Sequence, residues 1–119
     1  MKNILLIDDD PNEAKLFHAY IDLLSPGAYE LYFAETLEES VEMFSQRDYS
    51  AVFLDNRLRP FADFRETLPT IEQYVGDARL YVISASINDD CFEFASRFPD
   101  VTFLDKFHIL KKFRLGTII

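Results

Sequence analysis

The chain alternates short apolar runs with longer amphipathic stretches. Ile4-Leu5-Leu6-Ile7, Ala51-Val52-Phe53-Leu54, Leu80-Tyr81-Val82-Ile83 and Val101-Thr102-Phe103-Leu104 are rich in β-branched, aromatic and other large apolar side chains, and each stops at a polar residue. Runs of this length and composition predict buried strands. With Tyr29–Phe33 they give strands over 2–7, 29–33, 50–54, 79–83 and 101–104. The intervening stretches carry a helical period. Asp10-Pro11-Asn12-Glu13 starts a helix, with Asp10 as cap and Pro11 in its first position. Phe17, Tyr20, Ile21 and Leu24 form its apolar stripe, and Ser25-Pro26-Gly27 stops it. Thr36-Leu37-Glu38-Glu39 is a capping box, followed by Leu37, Val41 and Phe44 on the inward face of a second helix.

The stretch from Asn56 to Glu66 contains Pro60, has no clear period and predicts a longer loop, or a loop with a helical turn. A third helix is expected from about Thr67, with Pro69 in its first turn, Leu68, Ile71 and Val75 inward, and Gly76-Asp77 at its end. A fourth covers 88–98 with Cys91, Phe94 or Ala95, and Phe98 inward. A short last helix follows Lys106 and frays at Gly116. Strands alternating with crossover helices must run parallel with right-handed connections, which predicts a doubly wound α/β sheet.

Such a sheet gathers its chemistry at the C-terminal ends of its strands. Here those ends deliver Asp8-Asp9-Asp10, Asp55, Ser84 and Asp105-Lys106. Asp8, Asp9 and Asp55 would raise one another's pKa unless a cation lies among them. Magnesium suits the cluster better than calcium, because it accepts few protein ligands and keeps its waters. An ammonium from Lys106 and a hydroxyl from Ser84 would complete a site for a phosphoryl group on a carboxylate, with Asp55 attacking phosphorus.

Composition narrows the classes. The 119 residues suffice for one domain, and 49% hydrophobic with 28% charged residues is a globular balance. No apolar run approaches the ~18 residues of a membrane span, and no signal-peptide pattern opens the chain. The single cysteine, Cys91, excludes an internal disulfide and suits a cytoplasmic location. A formal charge of −9 argues against nucleic-acid binding. Lys111-Lys112-Phe113-Arg114 reads as a complement to a helix dipole.

Four pieces, Ile-Leu-Leu-Ile-Asp-Asp-Asp at 4–10, Phe-Leu-Asp at 53–55, Ile-Ser-Ala-Ser at 83–86 and Leu-Asp-Lys at 104–106, together resemble the receiver domain of two-component response regulators. The resemblance runs essentially the whole length. It implies a flavodoxin-like (βα)5 sheet of strand order 2-1-3-4-5, forming one receiver domain over 1–119 without an output domain. It implies a phosphoacceptor signalling domain of a two-component system or phosphorelay, not an enzyme beyond self-phosphorylation from small donors and autodephosphorylation. Asp55 would accept a phosphoryl group from a phosphohistidine on a histidine kinase or histidine phosphotransfer protein. Asp9, Asp55 and the main-chain carbonyl of Arg57 would bind Mg2+, and Asp8 would act through a metal-bound water. Ser84 and Lys106 would hold phosphoryl oxygens, Ala85 would keep the approach open, and Phe103 would be the switch aromatic. The signal would leave through a face around the fourth helix, the last strand and the last helix, to an unknown downstream protein.

The sequence departs from this pattern in two places. Phe107 follows Lys106 where the family usually has a proline after a cis peptide, and a cis bond before a non-proline costs roughly 2.5–4 kcal/mol. The loop after Asp55 is one residue longer before its proline, which brings Arg57 and Arg59 near the site. Arg57 would steer a phosphodonor or slow hydrolysis, or either arginine would simply answer an acidic rim. Phe107 keeps open a phosphorylation-independent pseudo-receiver adaptor, against which the complete set Asp8, Asp9, Asp55, Ser84 and Lys106 argues. A phosphatase of the haloacid-dehalogenase type is disfavoured, because Arg57 stands where its second aspartate is needed. Ser86 reads as a solvent-facing loop serine, His18 as a surface residue, His108 as a cap of the last helix, Cys91 as a small buried side chain and Asp10 as a cap. The twelve phenylalanines exceed what one small core needs. Two or three left exposed among Phe92, Phe94, Phe98, Phe103, Phe107 and Phe113 would make a partner or homodimer patch.

Overall fold

In a computed structural model, which describes residues 1–86 and 88–119, the strands are β1 (Lys2–Ile7), β2 (Tyr29–Ala34), β3 (Ala51–Asp55), β4 (Arg79–Ser84) and β5 (Val101–Asp105). All pair in parallel, in the order β2-β1-β3-β4-β5. The register places Ile7 beside Leu54, Asp55 beside Ile83 and Ser84 beside Asp105, so the polar residues that end the strands share one edge. The helices are α1 (Pro11–Leu24), α2 (Leu37–Gln46), α3 (Phe64–Ile71) and α4 (Ile109–Leu115), with a 3₁₀ segment over Asp90–Arg97.

The apolar runs of β1, β3 and β4 are buried because both faces of the sheet are covered, whereas in β5, at the sheet edge, Thr102 is exposed and Phe103 half-buried. Alternation sends Leu5, Ile7, Val52, Leu54, Leu80 and Val82 to one face, against Phe64, Leu68 and Ile71 of α3. Ile4, Leu6, Ala51, Phe53, Tyr81 and Ile83 go to the other, against Phe17 and Ile21 of α1 and Ile109 and Phe113 of α4. On that second face Phe53 stacks on Tyr81 at 4.6 Å, and Phe17 meets Phe53 edge-on at 5.1 Å. Asp10 caps α1 by accepting from the Asn12 N–H, and Thr36 caps α2 by accepting from the Glu39 N–H.

Several local expectations need correction. The third helix begins at Phe64, not near Thr67. Asp63 caps it, accepting from the Arg65 N–H, and Pro69 lies inside it instead of in its first turn. Asp63-Phe64 is a start signal hidden by the lack of period upstream. The fourth helix is a 3₁₀ segment, two residues shorter than expected at its start and one at its end. It buries Cys91, while Phe92, Phe94 and Phe98 lie half-buried against the core. On α2 the fully buried side chain is Ser40, whose hydroxyl donates to the Leu37 carbonyl; Leu37, Met43 and Phe44 pack on the core, and Val41 is only half-buried. The Lys106–Phe107 peptide is trans, and the loop is rebuilt as a 3₁₀ turn over Lys106–His108 in which the Asp105 carboxylate accepts from the Phe107 N–H. The only cis peptide among the described residues precedes Pro60. His18 is exposed, as expected, whereas His108 stands at the start of α4 without the side-chain capping bond expected of it and is exposed.

The chain does not simply fray after α4. Gly116 adopts the left-handed conformation (φ 67°) that favours glycine and turns the chain back. Ile118 is then fully buried, and its carbonyl accepts from the Tyr81 hydroxyl at 2.7 Å. Ile118→Ala is expected to cost about 2–4 kcal/mol through the cavity it leaves, read as a lower urea midpoint with an unchanged slope. A midpoint equal to wild type would place Ile118 outside the core in solution. Among the described residues no helix is long and apolar enough to cross a membrane.

Candidate functional site

The site is built at the edge where β1, β3, β4 and β5 end. Asp8 follows directly on β1, and its N–H continues the ladder by donating to the Ala34 carbonyl at 3.0 Å. Its side chain is 1% exposed. Oδ1 accepts from the Asp10 N–H at 3.0 Å, while Oδ2 has no hydrogen-bond partner. Asp55 ends β3 and is also buried. Asp9 reaches the same place from the turn after β1. One carboxylate oxygen each from Asp8, Asp9 and Asp55 lies within 4.8 Å of the others.

Lys106 enters from the end of β5. Its Nζ lies 3.2 Å from Asp55 Oδ1, 3.5 Å from Glu13 Oε1 and 3.6 Å from Asp8 Oδ2. One ammonium thus faces three carboxylates. Burial works against its charge, but Asp55, Asp8 and Glu13 outweigh that and raise its pKa. A single lysine does not neutralise so many acids. Burial, and then the Asp55 charge, push the Asp8 carboxyl up to about 7. Burial also raises Asp55, against the pull of Lys106. An orphaned, buried carboxylate oxygen facing two further acids is a donor set short of positive charge. All-oxygen chemistry of this kind fits a hard divalent cation.

Sequence reasoning brought together Asp8, Asp9, Asp55 and Lys106, and the structure does the same. It missed Glu13, which reads as an ordinary first-turn acid of α1; its position four residues after Asp9 was the available signal. It also missed Asn56. This buried side chain accepts from the Phe64 N–H through Oδ1 at 3.1 Å and donates to Cys91 Sγ at 3.7 Å. Asn56 thereby ties the loop after Asp55 to the start of α3 and to the 3₁₀ segment.

Other expected participants are engaged elsewhere. The Ser84 hydroxyl donates to the Ser86 carbonyl at 3.0 Å and accepts from the Ser86 N–H at 3.2 Å. Phe103 is half-buried, with its ring on Phe64 at 4.9 Å and Phe92 at 5.8 Å. Both arginines answer acids. Arg57 pairs with Asp89 at 2.9 Å, joining the loops after β3 and β4. Arg59 bonds Asp9 Oδ2 through its backbone N–H at 3.2 Å and through Nε at 2.8 Å. Slight burial opposes the Asp9 charge, but these bonds hold its pKa below the usual value. Phe107 is 81% exposed beside Lys106 and is the sole strongly exposed phenylalanine among the described residues. Two or three strongly exposed phenylalanines on the face of β5 and α4 are thus not found among the described residues.

No family model matches the sequence, and no curated protein matches it. Solved structures do. A sensor protein from Polaromonas sp. JS666 is similar with a TM-score of 0.76 at 23% identity, over 97% of this chain and 91% of that one. The response regulator TrrA from Thermotoga maritima, in complex with Mg(2+)-BeF, gives 0.69 at 22% identity over 100% of both chains. The beryllofluoride-activated NtrC4 receiver domain dimer gives 0.74 at 20% identity, over 98% of this chain and 93% of that one. Strand order, shared polar edge and near-complete coverage agree: this chain has the fold of response-regulator receiver domains.

Proposed function

We propose that the protein is a phosphoacceptor receiver whose Asp55 takes a phosphoryl group from a phosphohistidine or a small acyl phosphate. The observation that carries this reading is the contact of Lys106 Nζ with Asp55 Oδ1, 3.2 Å long, within a cluster of three aspartates. The similarity to TrrA, solved with Mg(2+)-BeF, supports the same chemistry. An Asp55 oxygen attacks phosphorus as the bond from phosphorus to the donor's imidazole nitrogen breaks, and the imidazole leaves with the electron pair of that bond. Lys106 keeps Asp55 ionised beforehand and takes up a phosphoryl oxygen afterwards.

Asp9, Asp55 and the Arg57 carbonyl would hold magnesium, with Asp8 acting through water. Such an ion would offset the charge of the acid cluster and of the incoming phosphoryl oxygens. Ser84 would exchange its Ser86 partners for a phosphoryl oxygen. That movement repacks Phe103, which would have to shift against Phe64 and Phe92, and so alters the surface formed by the 3₁₀ segment, β5 and α4. Phosphorylation then biases two packings that already interconvert, and a nearly complete switch needs ~5.5 kcal/mol of differential stabilisation. Upstream partners are a histidine kinase or a histidine phosphotransfer protein; downstream, a protein reads the repacked face.

Incubation with acetyl phosphate and magnesium tests this. Intact mass should rise by one phosphoryl group, lost again in alkali as expected of an acyl phosphate, and chelation should prevent the gain. A phosphorylated kinase should serve as donor in the same assay. No mass gain from either donor would favour an adaptor that works without phosphorylation.

A further inference from the structure

Arg59 stands where a divalent cation would make its claim. Both its backbone N–H and its Nε bond the same oxygen, Asp9 Oδ2. The guanidinium is thus a resident positive charge on one of the three clustered aspartates, delivered by the loop that runs from Asp55 to Pro60. We infer that Arg59 is a built-in competitor of the cation at Asp9, so that magnesium binding and release of the Arg59 side chain are coupled. This inference rests on the metal reading above and concerns what opposes it.

The sign holds for either oxygen of Asp9. If the ion uses Oδ2, the guanidinium must leave directly. If it uses Oδ1, two cations share one carboxylate and each weakens the other's hold. The alternative role, orienting the carboxylate for the ion, does not need the side chain, because the Arg59 main-chain N–H already holds Asp9. The side chain is 84% exposed, so its release exposes little new surface and its competition is that of an exposed ion pair. Coupling is reciprocal: bound magnesium weakens the Arg59–Asp9 pair by the same factor by which that pair weakens magnesium binding.

Isothermal titration with magnesium chloride on the full chain reads this without phosphorylation. Wild type, Arg59→Gln, Arg59→Lys and Asp9→Asn would be compared, with circular dichroism to verify folding. Arg59→Gln keeps the main-chain bond to Asp9 and removes the charge. It is expected to bind magnesium roughly two- to fivefold more tightly, the size of an exposed ion pair, with Arg59→Lys between it and wild type. In wild type the Arg59 Nε–Hε signal in an NMR spectrum should shift in step with magnesium saturation. Equal or weaker binding by Arg59→Gln, or an Arg59 signal that ignores magnesium, overturns the inference. Asp9→Asn separates the two levels: it should lose binding whether or not Arg59 competes. Wild type without saturable binding would remove the metal reading itself, and the competition with it.

Discussion

Asp55→Asn is expected to reduce phosphoryl uptake from acetyl phosphate to the level seen without protein, at any magnesium concentration. An amide oxygen is too weak a nucleophile to attack phosphorus, and Asp55 is the carboxylate nearest the Lys106 ammonium among the described residues. Asp8 Oδ2 and Glu13 Oε1 lie 3.6 and 3.5 Å from Nζ, against 3.2 Å for Asp55 Oδ1. The variant should still fold. Burial already disfavours the Asp55 charge, so a neutral isostere removes a cost, and Lys106 keeps Asp8 and Glu13 as partners. A chemical denaturation curve at least as stable as wild type, together with lost uptake, assigns the loss to chemistry. Uptake by Asp55→Asn at the wild-type rate would move the acceptor to another residue.

The second large effect concerns Asp8 and appears without any cation. Its carboxyl, 1% exposed, is raised from 3.8 to about 7 by burial and then by Asp55. The folded state therefore binds a proton that the unfolded state releases. Stability must fall as pH rises between about 4 and 7, and recover as pH falls through that window. The full difference corresponds to about 4 kcal/mol at most, from ~1.4 kcal/mol for each pH unit between the two values. Asp9 and Asp63 act in the opposite sense. Arg59 lowers the first against slight burial, and Arg65 lowers the second, so their contribution is lost as pH falls through their folded pKa values. Their arginine partners are exposed, and their share is correspondingly small. With these signs, stability in chelator is greatest near pH 4 and declines toward neutrality.

Asp8→Asn should flatten that profile. In chelator at pH 8 it should raise the urea midpoint above wild type by an amount worth a few kcal/mol, a difference that shrinks steadily as pH falls toward 4. Added magnesium should stabilise wild type at pH 8 and stabilise the variant less, because the repulsion it relieves has gone. A wild-type midpoint independent of pH between 5 and 8 would mean that Asp8 is not held as a buried acid short of compensating charge.

The chain by itself determined the sheet and its reactive edge. Four-residue apolar runs can be satisfied only by burial on both faces, and crossovers between them permit only parallel pairing, so Asp8, Asp55, Ser84 and Lys106 had to end on one side. Folding in three dimensions decided which charge meets which. Glu13 on Lys106, Arg59 on Asp9 and Arg57 on Asp89 join residues 93, 50 and 32 positions apart, and nothing in local period or capping records such distances. The return of Ile118 into the core and the Asn56 tie to Phe64 are of the same kind. Local sequence sets backbone shape and which side faces inward. Long side chains choose partners by the geometry of the assembled edge, where one lysine and one arginine are shared among more acids than they can neutralise.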